Sequence, residues 1–252
     1  MNNLYLILLF ISTTIYGQSK DSDSLKVKMN ASLSASITDG VEFQRSFQFE
    51  FNPTIEKGFW SLQNEFRFLY GDADDLVVNR NWDALILFKV YLDQLKRWYP
   101  FTVLDFQTNL KFELEYRLGI GGGLTHKSTF KNIDKLLLSF GTVYYQNRYT
   151  GSNFDNSDEV GNQRNMLRLI LHYNIKTQIV KDKITLKSDG WFLQSTRERS
   201  DYIIKLSLGV ELSVSEVVSV TLDYRYNYEN VTLENIDNNQ QFTSIGLKAD
   251  FN

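Results

Sequence analysis

The chain has 252 residues, 42% of them hydrophobic and 23% charged, which is the balance of a folded protein and excludes wholesale disorder. Aromatics reach 14%, with 18 Phe, 14 Tyr and 4 Trp against 2 Pro and no Cys, a bias toward strands and away from the Ala- and Leu-rich helices of a Rossmann-type enzyme. A formal net charge of −3 and a pI near 5.5 exclude a broadly basic nucleic-acid footprint.

Leu4 to Ile11 is an apolar run too short to span a bilayer and of the right length for the h-region of a secretory signal peptide. Residues 1–17 are therefore expected to be removed after Gly17, although Met1-Asn2-Asn3 supplies no basic side chain. Residues 18–24 (QSKDSDS) form a polar break on the periplasmic side, and 25–252 form the mature domain. Export permits disulfides, but with no Cys neither a disulfide nor a lipoprotein anchor is available. Mean hydropathy is −0.30, and no later segment reads as a spanning helix. A membrane β-barrel escapes such a measure because its apolar residues occupy every second position.

Period-two alternation is the dominant pattern. Leu25, Val27, Met29, Ala31, Leu33, Ala35 and Ile37 alternate with Lys26, Lys28, Asn30, Ser32, Ser34, Ser36 and Thr38. Asp39-Gly40 reads as a tight turn, and the return strand sets Val41, Phe43, Phe47, Phe49 and Phe51 on one face, with Arg45 the misfit. Further alternations begin at Trp60 and Val78. Trp98 to Phe106 is apolar on both faces and contains Pro100, so its register stays open through residue 115. From 116 to 125, Tyr116, Leu118, Ile120 and Leu124 oppose Arg117, Gly119, Gly121, Gly123 and Thr125. Strands follow at Leu136–Asn147 (with Ser139 and Gly141 facing inward), Leu167–Ile175, Ile184–Gln194, Tyr202–Leu212, Val218–Tyr228 and Thr243–Phe251. The count is about twelve, each near the ten residues of a tilted membrane strand, so the fold class is an all-β, up-and-down antiparallel transmembrane barrel.

With both termini periplasmic, the outer connections are Asp39-Gly40, Gly71–Leu76, Phe106–Glu115, Arg148–Arg164, Ser195–Asp201 and Glu229–Asn239, while inner ones such as Thr54–Gly58 and Ser213–Val217 are shorter. That asymmetry is the outer-membrane pattern. Tyr70, Tyr91, Trp98, Tyr173, Tyr202 and Tyr228 fall near strand ends and fit interfacial girdles. Gly151 to Gln163 is polar and reads as a mobile external loop.

The run RWYPF at 97–101, EYRLGIGGGLTH at 115–126, VTLDYRYNYEN at 220–230 and the closing IGLKADFN resemble the domain of unknown function 481 family of salt-induced outer-membrane proteins. The resemblance covers about Leu25 to Asn252. It implies a β-barrel in the outer membrane of a Gram-negative bacterium and carries over no catalytic residue.

Candidate chemistry is sparse. His126 and His172 are the only histidines, and neither sits in a local Ser-His motif, so they read as rim or lumen residues. The glycines from 119 to 123 alternate within a strand and lack the helix a phosphate loop needs, so they read as space for neighbours or as curvature. Asp72, Asp74 and Asp75 lack the calcium-loop pattern. No catalytic, cofactor or metal site is expected. The informative positions are the inward charges Glu50, Glu65, Arg67, Asp83, Lys89, Arg117, Lys187, Asp189, Lys205, Glu211, Asp223 and Arg225. Both signs occur, which favours pairs bridging a narrow or plugged lumen over a single-sign selectivity ring. Lys205 and Glu211 are the nearest partners in sequence for Asp223 and Arg225. The expected partners are outer-membrane lipids and, during biogenesis, the barrel assembly machinery, with no nucleic acid. The expected role is structural, envelope-related or that of a narrow conduit. An outer-membrane enzyme acting on lipids is the alternative, and a soluble secreted barrel an outside option.

Overall fold

A strand whose side chains alternate between apolar and polar must put one face in oil and the other in water, and lipid leaves no backbone group unpaired, so such strands are stable only as a closed cylinder. The computed structural model has that form. It describes residues 25–38, 44–73, 76–92, 96–130, 133–157 and 160–251. The expected signal peptide (1–17), the polar segment 18–24, the Asp39-Gly40 turn and Asp74-Asp75 lie outside these.

The elements are β1 (Lys26–Thr38), β2 (Gln44–Lys57), β3 (Trp60–Ala73), β4 (Leu76–Val90), β5 (Trp98–Asn109), β6 (Leu114–Phe130), β7 (Ile133–Tyr149), β8 (Gln163–Val180), β9 (Ile184–Ser195), β10 (Tyr202–Ser213), β11 (Val218–Glu229) and β12 (Asn239–Phe251). Each pairs antiparallel with its sequence neighbours, and β12 returns to β1 to close the barrel. The closing ladder has seven pairs, Met29–Phe251 to Ala35–Ile245, whereas β1 and β2 pair from Lys26–Glu56 to Thr38–Gln44. The connections at 150–162, 196–201 and 230–238 gather at one end, hereafter the loop end. The other end has the short turns 58–59, 181–183 and 214–217.

Apolar side chains point outward: Leu33, Phe49, Trp82, Phe140, Leu171 and Leu222 are all exposed, Ile120 at 58% and Ile245 at 62%. A belt of this extent has no place on a soluble monomer, which rules out the soluble-barrel option, and it matches the acyl chains of a bilayer. Arg45 is not a misfit within the belt. It stands opposite Asp72 near the loop end of β2–β3 and forms an ion pair with it.

The open register at 98–106 has a steric solution. Tyr99, Phe101, Val103 and Asp105 turn inward, and Trp98, Leu104 and Phe106 turn outward. Inward Phe101 stands opposite Gly123 and Val103 opposite Gly121, so bulk on β5 lies beside a β6 row that has none. The glycines are required. A Cβ on Gly123 would collide with the Phe140 carbonyl oxygen, and one on Gly119 with the Tyr145 ring. Pro100 sits one residue past the last β4–β5 pair, Lys89–Phe101, where a missing N–H is tolerated. The turn between β5 and β6 contracts to 110–113, shorter than expected, because both strands run on past the belt.

Candidate functional site

The lumen contains a cavity of about 500 Å³. Eleven of the twelve inward charges border it, namely Glu50, Glu65, Arg67, Asp83, Lys89, Lys187, Asp189, Lys205, Glu211, Asp223 and Arg225. Arg117 is also inward but sealed above the cavity, at 1% exposure.

Around the middle of the wall, charge alternates. Arg225 on β11 donates to Gln48 Oε1 at 2.6 Å and pairs with Glu50 on β2. Glu50 accepts Arg67 Nε at 3.1 Å, and Arg67 reaches Asp83 at 3.3 Å. Arg225 thus passes over β12 and β1 to its partner, where the sequence had suggested Lys205 or Glu211. The reason is geometric: neighbouring strands put Ser207 and Phe242 beside Arg225, while a long side chain in a curved wall reaches further round the lumen. Glu211 pairs with Lys187 and, at 3.3 Å, with Lys248. Glu65 accepts Gln63 Nε2 at 2.6 Å, and Gln63 Oε1 accepts Lys89 Nζ at 2.6 Å. Lys205 and Asp223 border the cavity outside these ion-pair chains.

Toward the loop end the lumen is crossed. Arg117 on β6 donates NH1 to Glu229 Oε1 at 2.8 Å and NH2 to Oε2 at 2.7 Å, with Nε on Asn147 Oδ1 at 3.0 Å. β6 and β11 are five steps apart in a ring of twelve, nearly opposite one another. A circular ring of twelve tilted strands about 4.8 Å apart is roughly 24 Å across, farther than Arg and Glu reach together, so the wall is drawn in along this chord. Gln240 on β12 makes a second crossing, donating to Asn79 Oδ1 and accepting from Asn109 Nδ2, both at 3.0 Å. Beside these, Asp201 accepts Arg168 at 2.6 Å and lies 3.3 Å from Arg164.

Above this layer Phe112, Leu114, Tyr149, Phe154, Val231 and Leu233 form a buried apolar cluster. It joins the 150–162 and 230–238 connections, which also share a Phe154–Leu233 bridge and an Asp155 N–H to Thr232 carbonyl bond of 2.9 Å. The stretch expected to be mobile is therefore docked. One aromatic in a polar run, Phe154, anchors it. Asp72, considered for calcium, is committed to Arg45. Tyr91 also departs from expectation. It packs edge-on against inward Tyr99 at 5.5 Å and lies under Lys96, so it belongs to the inner rim and not to an outer girdle. Tyr202 and Tyr228 do stack together at 5.7 Å.

The structure also brings together three residues that no local motif links. Ser139 Oγ is 3.2 Å from His172 Nδ1, and His172 Nε2 is 2.8 Å from Asp189 Oδ2. They lie on β7, β8 and β9 and all border the cavity. His126 meets Ser128 Oγ at 3.2 Å and the Trp98 ring, and neither contact supplies the third, orienting group of a hydrolytic site.

The family described as "Protein of unknown function, DUF481" matches residues 12–251. No curated protein sequence matches the chain. Among solved structures, the NanC porin in its rhombohedral crystal form superposes with a TM-score of 0.50 at 10% identity, covering 88% of this chain and 99% of the porin. The translocator domain of the autotransporter NalP from Neisseria meningitidis gives 0.48 at 9% identity, covering 98% and 96%. The COG4313 outer membrane channel from Pseudomonas putida F1 gives 0.48 at 8%, covering 93% and 98%. The first of these likenesses speaks to the fold. With the exposed apolar belt and the closed twelve-strand sheet, it makes the chain an outer-membrane β-barrel of a Gram-negative bacterium.

Proposed function

The chain belongs to the DUF481 family, and from that membership and the geometry of its lumen we propose a narrow conduit for small polar solutes that its own long loops close at one end. One observation carries this reading: a polar, charge-lined cavity of about 500 Å³ ends beneath the Arg117–Glu229 crossing and the apolar cluster around Phe154. Mixed, mutually paired charges give weak ion selectivity, so small zwitterionic or neutral polar solutes are the class that fits. The loop end faces outward, because longer connections are the extracellular ones in such barrels. Export proceeds through removal of residues 1–17, and assembly through the outer-membrane insertion machinery. The lipid-acting alternative has no support on the outer face, where His126 lacks an orienting partner in its contacts with Ser128 and Trp98. Single-channel recording of the refolded barrel tests the proposal. A small conductance with long closures is expected, becoming larger and more persistent when 151–157 is replaced by a short Gly-Ser turn. No conductance in either form would refute the conduit and leave an envelope-structural role.

A further inference from the structure

We propose that Ser139 is an activated nucleophile, poised by His172 and Asp189 to take the acyl group of a small water-soluble ester that enters the lumen. The hydrogen bonds have a single consistent direction. A carboxylate only accepts, so at 2.8 Å Asp189 fixes the proton on His172 Nε2. His172 Nδ1 is then an acceptor, and the hydroxyl facing it at 3.2 Å is Ser139. Thr125 Oγ1, 2.9 Å from Ser139 Oγ, donates to the serine oxygen from the other side. Base, nucleophile and orienting acid thus stand in the order the chemistry needs, on rigid neighbouring strands.

The rest of the constellation holds it still. Asp189 also accepts Asn174 Nδ2 at 3.0 Å and Trp191 Nε1 at 2.7 Å, and the Trp191 ring stacks on the imidazole at 3.9 Å. Three contacts from two side chains therefore fix one carboxylate and one ring, more than a wall serine requires, since Thr125 alone satisfies its oxygen. The cavity reaches Ser139 and is lined by charged and amide side chains together with apolar ones such as Phe101, Leu137 and Ile170, and it lies inside the lumen and away from the acyl-facing belt, which favours a small soluble ester over a bilayer lipid.

In the reaction, Ser139 Oγ forms a bond to the ester carbonyl carbon as its proton passes to His172 Nδ1, and Asp189 balances the resulting imidazolium. The bond to the alkoxy oxygen breaks, and the departing alcohol takes that proton. Water then attacks the acyl-serine, giving its proton to Nδ1, and Ser139 recovers it as the carboxylic acid leaves. The sum is ester plus water to acid plus alcohol. The wall's backbone N–H groups are engaged in ladders and the single Thr125 hydroxyl proton is directed at Ser139 Oγ, so neither is a preorganised oxyanion donor, and turnover is expected to be slow.

The test is independent of whether the barrel conducts. The folded protein in detergent is treated with diisopropyl fluorophosphate, and labelled peptides are quantified by mass spectrometry. Ser207 is the internal control, because it borders the same cavity but has Asp189 and Arg225 as strand partners and no histidine. Ser139 should label at least about tenfold faster than Ser207, and His172→Gln should lower that rate by about a hundredfold, the usual worth of a general base. Ser139→Ala should abolish the burst of p-nitrophenol from p-nitrophenyl acetate. Equal labelling of Ser139 and Ser207 in the wild type would overturn the proposal even if every variant failed to fold. So would a His172→Gln barrel that keeps its folded gel position and labels at the wild-type rate.

Discussion

Arg117→Ala is the most informative single change for the closed lumen. It removes both guanidinium bonds to Glu229 and the one to Asn147, and leaves Glu229 as a carboxylate only 7% exposed. Breaking a buried pair on one side costs about 3 to 5 kcal/mol, because the remaining charge keeps its desolvation cost without its partner. Removing both charges is a different perturbation: Arg117→Met with Glu229→Gln should be close to neutral, within about 1.5 kcal/mol. Arg117→Met alone, Glu229→Gln alone and the double form a cycle whose coupling energy is expected to be at least about 2 kcal/mol. Reversible urea unfolding in lipid vesicles, followed by tryptophan fluorescence, measures it, and conductance should rise in Arg117→Ala as the drawn-in wall relaxes. A cost below about 1 kcal/mol, the value of an exposed pair, together with unchanged conductance would refute the sealed crossing.

Arg225→Ala should loosen the barrel or raise its conductance, since Glu50 loses one of two arginines, whereas the outward Leu222→Val should change unfolding by less than about 1.5 kcal/mol; both are read in the same vesicle assay. Phe154→Asp should free the 150–162 connection, seen as new cleavage there when protease is added to intact cells, while the 214–217 turn stays protected. Gly123→Val should prevent assembly, because its Cβ overlaps the Phe140 carbonyl oxygen, and the variant should lose the difference in gel position between unboiled and boiled samples.

Strand count, the division of each strand into an apolar and a polar face, and connection asymmetry were legible in the residues because each depends on period two and on local turns, whereas period two does not say which face turns outward. The partners of lumen charges were not. Arg117–Glu229 and Arg225–Glu50 join strands that meet only through closure, and sequence distance carries no information about a chord. The β5–β6 register was hidden for a related reason, since the inner face of β5 is apolar only because its neighbour is glycine. The Ser139–His172–Asp189 line was partly recoverable. Reflecting β7 onto β8 about the middle of the 150–162 connection pairs Ser139 with Tyr173, one residue from the observed Ser139–His172 register. Reflection about the 181–183 turn comes within a residue of the β8–β9 register that sets Trp191 opposite His172 and Asp189 opposite Asn174. Phe154 could not have been recognised as an anchor, because what it docks against comes from two other connections.

The ladder between β1 and β12 has a consequence for how the cylinder carries load. Its pairs stop at Ala35–Ile245, so among the described residues the segment 239–244 of β12 has β11 on one side and no β1 ladder on the other. That segment is where Gln240 reaches across to Asn79 and Asn109. Hoop tension that a full ladder would bear is transferred there to an internal tie, side chain to side chain, anchored on the opposite wall. Amide exchange and lateral parting of the strands therefore begin at a place controlled from inside the lumen, so a solute that competes for the Gln240 amide would act on the integrity of the wall as well as on the passage.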